Sequence, residues 1–379
     1  MELKKKFKKT IYNNPVLFLL FFVLFILLTN LYYSYSDSLI YGGSDGFYYI
    51  KISESFPRIA DNVEYIKSER FFFPYLLGGI SKLFSIGTFA TYRIFVFLLA
   101  GLIGFFMYQN LKKIKSSNFL IIISLSFFIF NPYIFRFFLA IPTIITDLFF
   151  IFSSVLIVHG FMHKNKKNIF LGFAISVLSR QNGIFFLISF LIGKFYFKEK
   201  SLFSYKDLIF CVVIFFAATL LNTNYAITAD STNMSSPIDL YKVTLFGIFF
   251  NNYTFSQLIK FILFPFLSLA PLMVFYFFQI KKLKKIYLTE LGLVILITSV
   301  LIFAVAFVSG PVVTGKNITR LINLSYPMLI ILINLCLKKG ATTSWGNFLI
   351  IIVFFTIWSF HPTFSNVAVF DDLKIFFTL

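Results

Sequence analysis

Apolar stretches of about 20 residues recur along the whole of this chain, the length a helix needs to cross a bilayer. In lipid every backbone N–H and C=O must be paired within the segment, so such runs dictate transmembrane helices. Composition agrees. The 379 residues are 59% hydrophobic and 13% charged, with a mean hydropathy of +0.87. A water-facing globular domain carries roughly a quarter charged residues. The expected fold class is therefore all-α, a polytopic transmembrane bundle forming a single domain over 1–379, with no soluble domain of useful size.

Several functional classes drop out early. Cys211 and Cys336 both lie in apolar runs and suggest neither a disulfide framework nor a metal site. His159, His163 and His361 are too scattered for a zinc site. The 58 Phe accompany many Ile, Lys and Asn, a coding bias, so aromatic stripes are not read as sites. A lysine-rich start precedes an apolar run over 15–31, longer than the core of a cleaved signal peptide and followed only by a weak Ser34-Tyr35-Ser36 site. It reads as a retained signal anchor.

Lysine distribution sets the topology. Clusters at 4–9, 112–115, 164–167, 194–206, 281–285 and 338–339 hold 21 Lys and no Arg. The positive-inside rule makes these segments cytoplasmic. Spans are then expected near 15–33, 88–111, 118–137, 142–161, 168–180, 183–197, 207–222, 258–279, 288–308, 320–337 and 346–360, about eleven, with the N-terminus inside and the C-terminus outside. The inner segments carry a balance of +17 out of a net charge of +19. The basicity is a topology signal, and nucleic acid is not an expected partner.

All six arginines, Arg58, Arg70, Arg93, Arg136, Arg180 and Arg320, fall in outer loops or at outer span ends. A guanidinium grips phosphate bidentately, which an ammonium cannot do. Coding bias and chance are the competing account of any single one. The segment 168–197 is flanked by lysines and should cross twice. Each half has only about 13 residues, ~20 Å of helix against a ~30 Å core. Its turn, Ser179-Arg180-Gln181-Asn182-Gly183, should therefore lie sunken beside a cavity.

The longest outer loop, 34–87, is rich in acids: Asp37, Asp45, Glu54, Asp61, Glu64 and Glu69. Asp45 stands where a helix N-cap would. Tyr48, Tyr49, Ile52 and Phe56 then recur on one face, with Lys51, Glu54 and Ser55 largely opposite, as in a helix lying on a membrane surface that Pro57 ends. A second piece, 71–84, reads as an interfacial or re-entrant helix broken by Pro74 and Gly78-Gly79. The remaining outer loops are 223–257 and the turn-rich 309–319. Sequons at Asn233, Asn252 and Asn317 carry little meaning in a chain of bacterial character.

Two acids stand out as candidate catalytic groups. Asp45 is either an ordinary N-cap or a general base whose affinity for protons is raised by an apolar surface. Asp147 lies about five residues inside a span, ~7–8 Å deep at helical rise. An ionisable residue at that depth is functional by default; a structural pair with Arg136 or Arg180 is the alternative. Together the two carboxylates offer oxygen ligands to a divalent cation such as Mg or Mn. Arg70, Arg136, Arg180 and Arg320 are candidate phosphate-binding groups, with snorkelling to lipid headgroups as the bland reading of Arg70 and Arg320. Tyr48 and Tyr49 are candidate substrate-lining residues. His361, Asp371 and Asp372 read as solvated.

Taken in order, Asp45-Gly46-Phe47-Tyr48-Tyr49, Arg70-Phe71-Phe72-Phe73-Pro74, Thr146-Asp147, Arg180-Gln181-Asn182-Gly183 and Arg320 to Pro327 resemble the GT-C superfamily of membrane glycosyltransferases. The likeness is to the bacterial branch related to protein O-mannosyltransferases and the lipid A aminoarabinose transferase. It covers residues 15–200 best, a catalytic module containing outer loop 34–87, and is loose over 201–379, a variable transmembrane module. The outer-loop acid is single, without the second acid beside it, and there is no large outer C-terminal domain.

The resemblance implies a sugar moved from a polyprenyl-phosphate donor to a lipid or glycan acceptor on the outer face of a bacterial cytoplasmic membrane. It implies inversion at C1, with Asp45 as base and arginines, with or without a metal, on the departing phosphate. The lipid tail would lie in an apolar groove between spans. A polysaccharide polymerase of the O-antigen type is the nearest rival, although its large outer loop usually comes later in the chain. A transporter or flippase for a lipid-linked glycan predicts internal repeats and midplane charges, which the sequence lacks.

Overall fold

Every regular element among the described residues is a helix, as apolar sequence in a lipid setting requires. The computed structural model describes residues 45–129, 131, 134, 138, 141–229, 247–250, 252–279, 289–313 and 318–337. The expected spans at 15–33 and 346–360, Arg136, His361, Asp371 and Asp372 lie outside the described residues.

The segment expected to be the first outer loop contributes α1 (Asp45–Ser55), α2 (Tyr65–Ser68) and α3 (Phe72–Leu83). α3 is one continuous helix, not the broken piece expected. Pro74 falls in its first turn, where a missing N–H breaks no intrahelical bond. Gly78 has a packing reason: a Cβ there would stand 2.0 Å from the Ser53 carbonyl oxygen, so only glycine lets α3 press its backbone on α1. Ser53 fastens the contact, its hydroxyl donating to the Pro74 carbonyl at 2.6 Å and lying 2.7 Å from the Tyr92 hydroxyl.

Among the described residues four helices are long and apolar enough to cross a membrane: α4 (Thr88–Lys113), the Pro142–His163 helix, α9 (Tyr205–Ala229) and α12 (Glu290–Val308). In the second, a 3-10 turn at Pro142–Ile144 leads into α6 (Ile145–His163). Between these lie α5 (Asn118–Ile129), α7 (Lys166–Ser179) and α8 (Ile184–Phe197). A fifth candidate, α11 (Phe255–Gln279), bends by 42° between Phe255–Leu263 and Ser268–Phe275. Pro265, between the two halves, removes a backbone donor and crowds the preceding turn.

α6 is the axis of the bundle, with 89% of its apolar window buried. Small residues bring α7 against it. A Cβ on Gly172 would meet Ser153 O at 2.9 Å, and one on Gly160 would meet Asn165 O at 2.9 Å. The two helices run antiparallel, with Ile169 beside Gly160, Gly172 beside Ile157, and Arg180 beside Asp147. Lysine-bearing ends collect at one end of the bundle. There Asn110 meets His159 at 3.1 Å, Lys166 pairs with Asp207 at 2.6 Å, and Phe161 packs on Phe190 and Phe203. α7 and α8 both begin or end there and turn through Arg180–Gly183 at the other end.

The outward faces are apolar. Ile94, Leu98, Leu102 and Phe105 line one exposed side of α4, and Ile209, Val213, Phe216 and Leu220 one of α9. Exposed stripes this long suit lipid, not water.

Three boundaries differ from expectation. Residues 223–229, read as loop, continue α9, because Tyr225 stacks on Phe71 at 3.8 Å and the Ala229 carbonyl accepts from Val63 N–H. The turn-rich 309–319 contains helical α13 (Gly310–Val313), which follows α10 (Gly247–Phe250) in chain order and packs against it. The span expected over 320–337 divides into α14 (Ile318–Asn323) and α15 (Tyr326–Cys336), with a turn at Leu324-Ser325 and Pro327 opening the second helix. That division places Arg320 on its own short helix.

A buried acid and arginine cluster as candidate active site

Five separated parts of the chain deliver charge to one point. α1 supplies Asp45 in its first turn; the turn through and after α2 supplies Lys67 and Arg70; α6 supplies Asp147 in its first turn; Arg180 ends α7; α14 supplies Arg320. The point lies at the end of α6 and α7 opposite the lysine-rich end. Burying these charges is affordable only because they pair with one another.

The pairing is dense. Asp45 Oδ1 accepts from the Lys67 ammonium. Its Oδ2 accepts from Arg320 Nη2 at 2.8 Å and stands 3.7 Å from Arg70 Nη1. Asp147 Oδ1 accepts from Arg180 Nη1, and its Oδ2 stands 3.1 Å from Arg320 Nε as an ion pair without hydrogen-bond alignment. Arg320 thus spans both carboxylates. Its helix is tied down by Asn323, whose side-chain oxygen accepts from Asn131 at 2.7 Å.

A second layer holds Arg70. Its Nη1 donates to the Tyr49 hydroxyl at 3.3 Å and its Nε to Gln181 Oε1 at 3.3 Å. Gln181 Nε2 donates in turn to Glu69 Oε2 at 2.7 Å. The α7–α8 turn, carrying both Arg180 and Gln181, is thereby fastened to the turn after α2. Exposure rises from Asp147 (0%) and Arg180 (4%) through Asp45 (8%), Arg320 (10%) and Arg70 (12%) to Lys67 (24%), so solvent meets the cluster from the Lys67 side.

Electrostatics reverse one expectation. Burial alone pushes the Asp45 carboxyl up, but Arg320, Lys67 and Arg70 outweigh it and hold the group well below the usual carboxylate range. The apolar surface therefore does not make Asp45 a stronger base in this arrangement. Burial also works against the Arg70 cation, but Tyr49, Asp45 and Asp147 overcome it and raise that group further.

Asp45, Asp147, Arg70, Arg180 and Arg320, singled out from sequence, are brought together, and Tyr49 touches them through Arg70. Asp45 lies in the first turn of α1 as described, and its side chain faces the cations. Tyr48 points elsewhere, donating to Glu64 at 2.7 Å, a bond that pushes its hydroxyl up to about 12. Lys67 was not singled out from sequence, and Gln181 and Glu69, though named in a motif and in the acid-rich loop, were given no role in the site. Lys67 sits three residues before Arg70, a spacing that puts both on one side of a helical turn, and this was the available signal.

The two carboxylates do not fit a shared divalent ion as they stand, because the Arg320 guanidinium lies between them and Glu69, joined to Arg70 through Gln181, is taken by that amide. Among the described residues no three His, Cys, Asp or Glu side chains gather in a metal-binding group. Three polar atoms near Asp147, Thr143 Oγ1, Thr146 Oγ1 and Arg180 Nε, are buried without a hydrogen-bond partner among the described residues. Such groups ordinarily have partners. A separate apolar groove of about 780 Å³ is lined by Phe56, Phe71, Phe72, Tyr75, Ile80 and Leu221, with Lys82 at its wall; none of the clustered charges lines it.

Comparison of the chain with family models, curated proteins and solved structures gives no match.

Proposed function

We propose that the chain is an integral membrane glycosyltransferase of the GT-C type, transferring a sugar from a polyprenyl-phosphate donor to a cell-envelope acceptor. In this reading about eleven spans cross a bacterial cytoplasmic membrane, with the N-terminus in the cytosol. The cluster then opens on the periplasmic or outer face, away from the lysine-rich end.

The observation that carries the reading is the surplus of cations around two acids. Lys67, Arg70, Arg180 and Arg320 surround Asp45 and Asp147, and counting Glu69 still leaves positive charge in excess. A buried surplus of this kind calls for an anion, and three guanidinium groups suit a phosphate. The unpartnered Thr143 and Thr146 hydroxyls and Arg180 Nε are suited to sugar hydroxyls or phosphate oxygens. The apolar groove that includes Phe71, the chain neighbour of Arg70, is the candidate seat for the isoprenoid tail.

The chemistry is a single displacement. The acceptor oxygen attacks C1 of the sugar from the face opposite the phosphate, and its proton passes to Asp45. The C1–O bond to phosphate breaks, its electron pair stays on the phosphate oxygen, and the anomeric configuration inverts. Negative charge grows on the departing lipid phosphate, where Arg70, Arg180 and Arg320 stabilise it. Those same cations mask Asp45 in the ligand-free arrangement, so a phosphate that draws them off also restores the base.

The test is genetic and chemical. Deleting the gene and comparing surface glycans by mass spectrometry is expected to remove one sugar, restored by the intact chain and not by Asp45→Asn. Full restoration by Asp45→Asn overturns the reading. A flippase would instead leave its lipid-linked glycan on the cytoplasmic leaflet after deletion.

A further inference from the structure

We propose that Arg320 does the work of a bridging divalent cation at this site, so that its two carboxylates operate without metal. The inference rests on the reading of the cluster as a phosphate-handling active site. It starts from geometry. One guanidinium meets Asp45 Oδ2 at 2.8 Å and Asp147 Oδ2 at 3.1 Å. A hard divalent cation shared by two aspartates would claim those oxygens at about 2.0–2.6 Å and require several further oxygen ligands.

None of the four carboxylate oxygens is left for such an ion. Asp45 Oδ1 faces Lys67 and its Oδ2 faces Arg320 and Arg70; Asp147 Oδ1 faces Arg180 and its Oδ2 faces Arg320. Glu69, joined to Arg70 through Gln181, is held by that amide. A dication entering here would meet four resident cations with no spare anionic ligand among the described residues, and Coulomb repulsion in a buried site is poorly screened. The planar fork of Arg320 supplies what the ion would have supplied: fixed separation of the two acids and positive charge where the phosphate departs. An ammonium at this position would be a point charge without the fork, so lysine would not substitute for it.

The experiment uses the full chain in lipid nanodiscs, free of donor and acceptor. Mn2+ binding is followed by electron paramagnetic resonance, and thermal unfolding is followed with chelator, with excess Mn2+ and with methylguanidinium. The intact chain is expected to bind no Mn2+ beyond the level of the Asp45→Asn variant, and its midpoint is expected to ignore both chelator and metal. Arg320→Ala is expected to unfold several degrees lower, to be raised by methylguanidinium but not by Mn2+, and not to be matched by Arg320→Lys. One Mn2+ per intact chain, lost in Asp45→Asn, overturns the proposal whether or not the Arg320 variants fold. So does a folded Arg320→Ala that methylguanidinium fails to stabilise. These measurements involve no sugar transfer, so their failure leaves the transferase reading standing. Retained transfer in Asp45→Asn defeats that reading without touching the metal result.

Discussion

Arg320 and Asp45 are 275 residues apart in the chain and share a 2.8 Å hydrogen bond in the fold. The same guanidinium reaches Asp147. α1 and the buried helix α6 are therefore locked to the short, late helix α14 through one side chain. The predictions below follow from that lock.

Asp45→Asn is expected to reduce sugar transfer by about 10²–10⁴-fold, the usual worth of a positioned base. Protein levels in the membrane should be preserved, since the amide keeps the shape of the carboxylate. Glycan mass spectrometry paired with immunoblotting of membranes measures both. Asp147→Asn is expected to abolish transfer under the same comparison.

Asp45 is held below the usual carboxylate range. A depressed carboxyl contributes stability that is fully present above its unfolded value, ~3.9, and is lost only as pH falls through the lower folded value. The acid limb of the free enzyme's kcat/KM profile is accordingly expected below about pH 4. Lys67→Met removes one of the three cations and should move that limb upward. An unmoved limb would show that Lys67 does not govern the carboxylate.

Arg180→Leu strands the fully buried Asp147 beside Arg320 alone and is expected to cost about 3–5 kcal/mol. Adding Asp147→Leu removes the stranded charge, so the double variant should recover much of the unfolding midpoint and none of the transfer. Recovery of both would reduce the pair to a structural brace.

Gln181→Leu cuts the bonds to Arg70 and Glu69 and leaves those groups short of a partner. The expected penalty is about 1–3 kcal/mol, expressed as weaker donor use more than as unfolding. Steady-state kinetics with varied donor and a parallel thermal melt separate the two.

Gly78→Ala places a methyl against the Ser53 carbonyl, an obstacle of backbone atoms that cannot swing away. A loss of about 1–3 kcal/mol and displacement of α1 are expected. Gly79→Ala, whose added carbon meets only the Phe56 ring at 3.2 Å, is the milder control. Comparing their melts shows whether α1 depends on close approach at this one point.

The legibility of the site in the sequence was uneven for physical reasons. Asp147 stood out because an acid in an apolar helix is rare and expensive, whatever surrounds it. Arg180 stood out because flanking lysines and two short halves forced a sunken turn at its position. Lys67 did not stand out, because a lysine in a polar loop is ordinary until something buried takes its charge. The break at Leu324-Ser325 was missed as well, since an apolar run long enough to span conceals a turn that Asn131 and Asn323 help to hold in place.

Local chemistry settled the helical class, the apolar lengths and the segregation of lysine from arginine, because each depends on residues close in sequence and on their cost in lipid or water. Tertiary packing alone decided who neutralises whom. Asp147 meets Arg180 across 33 residues and Asp45 meets Arg320 across 275, and such pairs exist only once Gly172 and Gly78 have let their helices close. Charge attraction acts through space, and only the fold determines which charges share that space.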